Sequence, residues 1–151
     1  MKLWTIGTSK RGIEAFVNLL EAYQIEVIAD VRRYPKSRYK HFNRENLKPF
    51  LNRNGIEYHH VTELGGYRKG GYKKYMATKE FETGLVYLET LISSKRVAIM
   101  CAELLAVHCH RRFISDALTL RGHTVIHIID KENSYEHKDR IGKHKTLDEF
   151  L

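Results

Sequence analysis

The sequence predicts an α/β protein: a single domain built on a mainly parallel, five-stranded sheet with helices on both faces. Short apolar segments alternate along the chain with segments whose apolar residues recur at helical spacing, and the links between them are short. A chain of 151 residues with an apolar fraction of 42% is a usual size for one domain with one core. Strands that alternate with helices form parallel sheets through right-handed crossovers, and such sheets bind ligands at the carboxyl ends of their strands.

Five segments are predicted as strands because they are short, apolar and closed by turn residues. They cover residues 3–7, 25–31, 56–61, 97–101 and 124–129. The second strand carries a carboxylate, Asp30, near the end of an otherwise apolar run, which is unusual for a buried strand. This residue either caps a neighbouring turn or points into the crevice above the sheet.

Four segments are predicted as helices. Residues 12–24, 78–93 and 110–121 place apolar residues on one face. A shorter helix over residues 46–52 is expected to begin with Asn46 as its N-cap, since this puts Pro49 in the first turn, where its missing amide costs no hydrogen bond. Residues 131–151 form a charged tail, whose last six residues are predicted as a short helix. No internal repeat or domain boundary is found, so the single domain is expected to span residues 1–151.

The distribution of charge points to an anionic partner. The formal net charge is +8, but residues 32–79 alone carry thirteen Lys and Arg against three Glu, and the other residues sum to −2. The same segment holds six of the nine tyrosines. Basic residues interleaved with aromatic ones suit a surface that neutralises phosphates and stacks bases. The alternative is a solvated basic face whose tyrosines pack against Lys and Arg stems.

Several classes of protein are disfavoured by the sequence. No apolar run approaches the roughly 20 residues of a membrane-spanning helix, so no membrane partner is expected. The first residues hold too short an apolar stretch for a signal peptide, which favours the cytoplasm. In that reducing compartment the two cysteines, Cys101 and Cys109, are expected to be thiols. The sequence names no cofactor.

Reactive and charged residues collect where the predicted strands end, at the edge of the sheet where a site is expected. The candidate catalytic residues are Asp30, Glu103, Cys101 and Cys109. The candidate anion-binding residues are Arg32, Arg111, His110 and Ser9.

The loop that holds both cysteines carries the most chemistry. Cys109 lies at the start of a predicted helix, where free amides and the helix dipole favour anions and lower the pKa of a thiol. Cys101 ends a buried strand, so it is either a small hydrophobic residue or a nucleophile. Metal-ligating side chains are present here in Cys101, His108, Cys109 and His110. They lack the spacing of a zinc site, and no metal is predicted.

Residues 63–72 contain four glycines and form a loop. The spacing matches neither a dinucleotide fingerprint nor a P-loop, so a phosphate cradle is not predicted. We interpret the segment as a flap over the site, with a plain connector as the alternative. The flap residues are Glu63, Gly65, Gly66 and Arg68.

Several separated motifs occur in order: TIGTS, IADVRRYPKSR, HFN, GIEYHHVTELGG, IMCAE, CHRR and GHTVIHI. This combination, from Leu3 to about Ile129, resembles domain-of-unknown-function family 488. The resemblance implies an α/β domain and brings no established activity. The family's first motif usually has histidine where this chain has Thr8.

The layout is also similar to that of rhodanese-like domains, with DVR at the end of the second strand and cysteine at the end of the fourth. That resemblance implies the strand order 1-5-4-2-3 and places Cys101 where those enzymes carry their nucleophile. The loop AELLAVHCHRR is longer than the short, glycine-bearing loop of that family, so sulfur transfer through Cys101 is one alternative among others.

The leading hypothesis is an enzyme that acts on a phosphate-bearing substrate, a nucleotide or nucleic acid, at the carboxyl edge of the sheet. The alternative is a non-catalytic nucleic-acid-binding module that uses the basic, tyrosine-rich face of residues 32–79. Asp30 and Glu103 discriminate between them, since a purely phosphate-binding surface gains nothing from carboxylates at its centre, whereas catalysis usually needs them.

Overall fold

The computed structural model describes residues 1–138 and contains one six-stranded sheet. Its strands lie in the order β3-β2-β4-β1-β5-β6, all parallel except β6. Their bounds are Lys2–Gly7 (β1), Val27–Asp30 (β2), Glu57–His60 (β3), Val97–Cys101 (β4), Thr124–Ile128 (β5) and Ser134–Glu136 (β6). The α/β class is confirmed, and all five predicted strands are present.

Five helices connect or cover these strands. They are α1 (Ile13–Ala22), α2 (Arg44–Arg53), α3 (Tyr72–Tyr75), α4 (Lys79–Ile92) and α5 (Arg111–Leu120). Short 3-10 turns occur at Lys40–Phe42, Thr62–Leu64 and Ala106–His108. None of these helices within residues 1–138 combines the length and the apolar character needed to cross a bilayer.

Alternate residues of the central strands face two apolar layers, as the pleat of a strand requires. On one face, Leu3, Ile99 and Val125 pack with the apolar stripes of α4 and α5. On the other face, Trp4 and Met100 pack with α1 and α2. Helices on both faces therefore bury the sheet, as the sequence predicted.

The strand order differs from the implied 1-5-4-2-3 at one end of the sheet. The neighbours β4, β2 and β3 are in the expected order, but β1 lies between β4 and β5. Burial explains this placement, because five of the six residues of β1 are buried, whereas Thr124 and Ile126 of β5 are only half-buried. A strand whose residues are nearly all buried gains more from the centre of the sheet than a strand with partly exposed residues.

Two local predictions were wrong. Helix α2 begins three residues before the expected start, with Asn43 as its N-cap, so Pro49 lies inside it. The burial of Leu47 and Leu51, one turn apart, offsets the backbone hydrogen bond that Pro49 cannot make. The tail also contributes β6, which pairs antiparallel with β5. The helix predicted for the last six residues lies outside the described residues.

One glycine fixes how the loop after β4 meets β1. A Cβ atom built on Gly7 would overlap the backbone carbonyl of Glu103. Only a residue without a side chain lets the two segments approach this closely. Gly7 therefore sets the position of the cysteine-bearing loop relative to the sheet.

We predict that Gly7→Ala destabilises the fold by about 1–3 kcal/mol, because the loop after β4 must move away from β1. Urea denaturation followed by circular dichroism measures this change in the free energy of unfolding. Gly12→Ala is the matched control, since a Cβ at Gly12 meets no atom within 4 Å. Equal stabilities of the two variants would contradict the proposed close approach.

Candidate functional site

A cavity of about 330 Å³ opens at the carboxyl ends of β2 and β4. We call it the cysteine pocket. The predicted site residues that line it are Arg32, Gly66, Cys101, Glu103, Cys109 and His110. Further lining residues include Arg33, Tyr34, Lys36, Tyr67, Tyr72 and His108. The cavity therefore brings together half of the twelve residues chosen from the sequence, with cationic and aromatic neighbours.

Some of the other predicted residues lie outside the lining of the cysteine pocket. Asp30 and Arg111 lie beneath the surface, exposed by 0% and 1%. Ser9 faces a different depression, beside Arg11 and Asp130. Its amide donates to the carbonyl of Ala102 at 2.9 Å, so Ser9 holds the loop after β4 in place.

The cysteine loop brings its two sulfurs into contact. Cys101 ends β4, the chain then makes the 3-10 turn Ala106–His108, and α5 begins at Arg111. This path places Cys101 Sγ 3.0 Å from Cys109 Sγ. Cys101 is 3% exposed, whereas Cys109 is half-buried and borders the cavity.

Hydrogen bonds to its sulfur favour the thiolate form of Cys109. The Cys101 thiol donates to Cys109 Sγ, and the amide and Nε of Arg111 donate to the same sulfur at 3.3 and 3.1 Å. The Cys101 hydrogen bond and the Arg111 charge lower the pKa of Cys109 to about 5, although burial opposes the change. The pKa of Cys101 is raised by its hydrogen bond to Cys109 and by burial. The pair is therefore asymmetric, because the thiol of Cys109 is more acidic than the buried thiol of Cys101.

The guanidinium of Arg111 is buried against this thiolate. Its NH1 donates to Thr5 Oγ1 at 3.2 Å, and its NH2 donates to the carbonyl of Glu103. Burial lowers the pKa of Arg111, but the facing cysteines outweigh burial, so the pKa is raised and the group is charged. Arg111 therefore pairs with Cys109 inside the protein and does not reach the pocket as an anion clamp.

A chain of hydrogen bonds continues from Arg111 to the far side of α5. Thr5 Oγ1 is 2.7 Å from His127 Nδ1, His127 Nε2 is 2.9 Å from His137 Nδ1, and His137 Nε2 is 2.6 Å from Asp116 Oδ1. Burial, with His137 and Arg111 nearby, lowers the pKa of His127 to about 3, so its ring is neutral. Since the Asp116 carboxylate only accepts, a consistent set of tautomers has His137 donate to Asp116, His127 donate to His137 and Thr5 donate to His127, while Thr5 Oγ1 accepts from Arg111. One set of histidine tautomers thus satisfies every hydrogen bond in this series.

A second buried cation lies on the other face of the sheet. Arg32 donates from Nε and NH2 to the two oxygens of Asp30, at 2.9 and 2.8 Å, and from NH1 to the carbonyl of Phe42. Tyr58 donates its hydroxyl to Asp30 Oδ2. The pKa of Arg32 is raised because the Asp30 carboxylate outweighs the effect of burial. Both carboxylate oxygens of Asp30 thus accept hydrogen bonds from protein groups, so we interpret Asp30 as a residue that positions Arg32.

The glycine-rich segment packs over the pocket. Gly66 touches the ring of His110, and Gly65 lies against the backbone of Arg33, with no room for a Cβ at either position without a shift. His110 Nε2 donates to the carbonyl of Val31 at 2.7 Å, and burial lowers the pKa of this ring. Arg68 stacks 4.1 Å over the ring of Tyr75. Of the other flap residues, Glu63 accepts a hydrogen bond from Tyr75 through its backbone carbonyl.

The rim of the pocket carries two exposed aromatic side chains. Tyr34 is 67% exposed and Tyr67 is 88% exposed. Tyr67 has a φ of +56°, a left-handed conformation that is unfavourable for a bulky residue. Arg33 connects the two, since it stacks 5.5 Å from the Tyr34 ring and donates to the carbonyl of Tyr67. A strained backbone that presents an aromatic ring to solvent is typical of a ligand contact.

The sequence did not identify two buried polar residues whose hydrogen bonds extend from Arg111, the partner of Cys109. Thr5 and His127 are polar residues in apolar strands, and that departure from the pattern is a signal that the sequence did contain. Strands 1 and 5 are neighbours in the implied order as well as in the structure. The register that sets Thr5 opposite His127, and the approach of Arg111 to Thr5, depend on tertiary packing that the sequence pattern does not provide. Within residues 1–138, no three His, Cys, Asp or Glu side chains come together as a metal site requires.

Comparisons with known proteins give one match. The family described as "Domain of unknown function DUF488" matches residues 12–118, more than half of the chain. Comparisons with curated proteins and with solved structures found no match.

We predict that Arg111→Met raises the pKa of Cys109 by about 1 unit or more, because the variant removes the cation that donates to its sulfur. The rate of iodoacetamide alkylation, read for each cysteine by mass spectrometry across a pH series, measures this pKa. In the unmodified protein Cys109 should react with a midpoint near pH 5 and Cys101 slowly.

Arg112→Ala is the matched control for this measurement, since Arg112 stacks on Phe113 and has no bond to sulfur. Arg111→Lys, which keeps a charge, should give an intermediate midpoint. An unchanged midpoint in Arg111→Met would show that the guanidinium does not stabilise the thiolate.

We also predict that Asp30→Asn destabilises the protein by about 3–5 kcal/mol, because it leaves the buried Arg32 without its counter-charge. Tyr58→Phe removes one hydrogen bond and should cost about 1–3 kcal/mol. Glu21→Gln, at an exposed position of α1, is the control. Chemical denaturation provides the three values, and a loss below about 1 kcal/mol for Asp30→Asn would contradict the positioning role.

Proposed function

The chain belongs to the DUF488 family, and we propose that it is a cysteine-dependent enzyme that acts on a phosphate-bearing substrate, most simply a nucleotide. The observation that carries the proposal is the Cys109 thiolate at a cavity whose side chains are mainly cationic and aromatic. A thiolate is the nucleophilic form of cysteine, and its ionisation near pH 5 would keep it available at neutral pH.

The charges around the cavity favour an anionic substrate. Arg33, Lys36 and His108 line it, and Glu103 is the one carboxylate in the lining. The NH1 group of Arg33 donates to Tyr67, which holds the guanidinium at the rim. A phosphate would accept hydrogen bonds from Arg33 and Lys36 at the mouth of the cavity, in front of the thiolate.

The exposed tyrosines at the rim favour a substrate that also carries a flat ring. Tyr34 and Tyr67 stand on either side of Arg33, and stacking on aromatic side chains is how proteins commonly hold a nucleobase. The cavity of about 330 Å³ is in the lower part of the size range of small-molecule sites. A mononucleotide combines the two recognition elements in one molecule.

In this proposal Cys109 attacks the electrophilic atom of the substrate and forms a bond to it, and the leaving group departs with the bonding electrons. Water then attacks the same atom, gives a proton to Glu103 at the rim, and releases the sulfur as a thiolate. Cys101 donates to the resting thiolate, and Arg111 balances its charge. The geometry favours Cys109 over Cys101 as the nucleophile, since Cys101 is buried and the pKa of its thiol is raised.

We predict that inorganic phosphate and adenosine monophosphate protect Cys109 from iodoacetamide by several-fold at low salt, because the bound anion covers the thiolate. The double variant Arg33→Ala with Lys36→Ala should lose this protection. Lys48→Ala, an exposed lysine of α2, is the control that should keep it.

The two probes separate the two parts of the proposed site. Stronger protection by the nucleotide than by phosphate supports stacking at the rim, and Tyr34→Ala should remove the difference. Alkylation rates that are unaffected by either anion would contradict a phosphate-bearing substrate.

Single-stranded nucleic acid is the second candidate ligand, and the exposed rim tyrosines are the observation that favours it. Three of the six tyrosines of residues 32–79 are buried, namely Tyr58, Tyr72 and Tyr75. The tyrosines of this face that are exposed enough to stack on bases are therefore mainly Tyr34 and Tyr67, which line the pocket. A nucleic acid would then place one nucleotide at the pocket rather than spread over the whole basic face.

We predict that a fluorescent single-stranded oligonucleotide binds more weakly as salt rises, with a slope of about 0.7 per neutralised phosphate. Replacement of both Tyr34 and Tyr67 by Ala should weaken binding by about 1–3 kcal/mol per lost stack. Fluorescence anisotropy measures both effects. If the oligonucleotide does not bind even at low salt, a small phosphorylated metabolite is a better candidate substrate than a nucleic acid.

A further inference from the structure

The two cysteines also have the geometry of a redox couple. Their sulfurs are 3.0 Å apart, and the sulfurs of a disulfide are separated by about 2.05 Å, so a shift of about 1 Å would join them. The loop between them contains only the 3-10 turn Ala106–His108, with Leu104 and Val107 exposed on its surface. No helix or strand has to break for the sulfurs to approach.

The two sulfurs lie in different environments, which suit one cysteine to attack a small disulfide and the other to resolve the mixed disulfide. Cys109 borders the open pocket, where a small molecule can reach its sulfur. Cys101 also lines the pocket but is only 3% exposed, and its sulfur lies against Cys109 Sγ. An accessible attacking thiol and a shielded resolving thiol are the arrangement that lets a mixed disulfide form and then close.

We infer that Cys101 and Cys109 form a reversible dithiol–disulfide couple that exchanges with low-molecular-weight disulfides, an activity separate from the substrate chemistry proposed above. The cationic side chains at the pocket, Arg33 and Lys36, favour a small disulfide that carries carboxylates. Nothing in this inference requires that the protein binds a nucleotide.

The exchange takes place in two balanced steps. Cys109 thiolate attacks one sulfur of the small disulfide, forms a mixed disulfide and expels the other half as a thiolate. The Cys101 thiol then gives its proton to solvent and its sulfur attacks Cys109 Sγ, which expels the second half. The two protein thiols are oxidised to one disulfide, and the small disulfide is reduced to two thiols. Excess small thiol reverses both steps.

The depressed pKa of Cys109 and the raised pKa of Cys101 support this order of events. The first is ionised at neutral pH and attacks without a base. The Cys101 thiol is kept protonated while Cys109 carries its negative charge. When Cys109 forms the mixed disulfide, the Cys101 thiol loses the thiolate to which it donated a hydrogen bond. The first step thereby prepares the second.

The test is a redox titration of the full chain with mixtures of reduced and oxidised glutathione. Samples are quenched with acid, free thiols are blocked with N-ethylmaleimide, and the state of each cysteine is determined by mass spectrometry. The unmodified protein should lose both thiols together and become lighter by two hydrogens. Cys101→Ser should instead accumulate glutathione on Cys109, and Cys109→Ser should react at least about tenfold more slowly than either.

Cys101→Ala is measured in the same assay as a second variant, in case the serine of Cys101→Ser disturbs the core. Wild-type protein that stays as the mixed disulfide, or that forms an internal disulfide only after unfolding, would overturn the inference. The titration contains no nucleotide or phosphate, so its result is independent of the protection experiment on the reduced protein. Failure of one proposal therefore leaves the other intact.

Discussion

The pairing of the buried Arg111 guanidinium with the Cys109 thiolate is the interaction on which the site depends. Arg111 is 1% exposed, and a cation at such depth is tolerated only when a counter-charge and hydrogen-bond acceptors surround it. These partners come from two parts of the chain: Thr5 Oγ1 from β1, and Cys109 Sγ and the carbonyl of Glu103 from the loop between β4 and α5. The same guanidinium therefore contacts all three partners, and two of them, Cys109 and Glu103, belong to residues that line the pocket.

This pairing explains why polar residues occupy the interior of apolar strands. Thr5 and His127 are 0% and 2% exposed, and their hydrogen bonds connect Arg111 to His137 and Asp116 on the far side of α5. A neutral His127 adds no second charge beside the guanidinium, consistent with its lowered pKa. The second buried cation, Arg32, is balanced separately by Asp30 on the opposite face of the sheet, so the two ion pairs support the same edge from both sides.

The parts of the fold that follow from local pattern could be predicted from the sequence. Strand and helix segments, and the placement of Cys101 and Cys109 at the carboxyl edge, depend on hydrophobic periodicity and on the fold class. The position of β1 between β4 and β5 depends on relative burial across the whole sheet, which no single segment encodes. Thr5 and His127 were missed because their contacts depend on strand register and on the approach of Arg111 from α5. Arg111 was expected to clamp a ligand, whereas its guanidinium donates to Cys109 Sγ.

The central claim is that Cys109 is a thiolate in the resting protein, and its ultraviolet absorbance tests this directly. A thiolate absorbs in the ultraviolet where a thiol does not, so the difference between the reduced protein and Cys109→Ser measures ionisation without any reagent. The account predicts that this difference is fully present at neutral pH and disappears as the pH falls through about 5. A difference that appears only at the pH where ordinary thiols ionise, about 8.5, would contradict it.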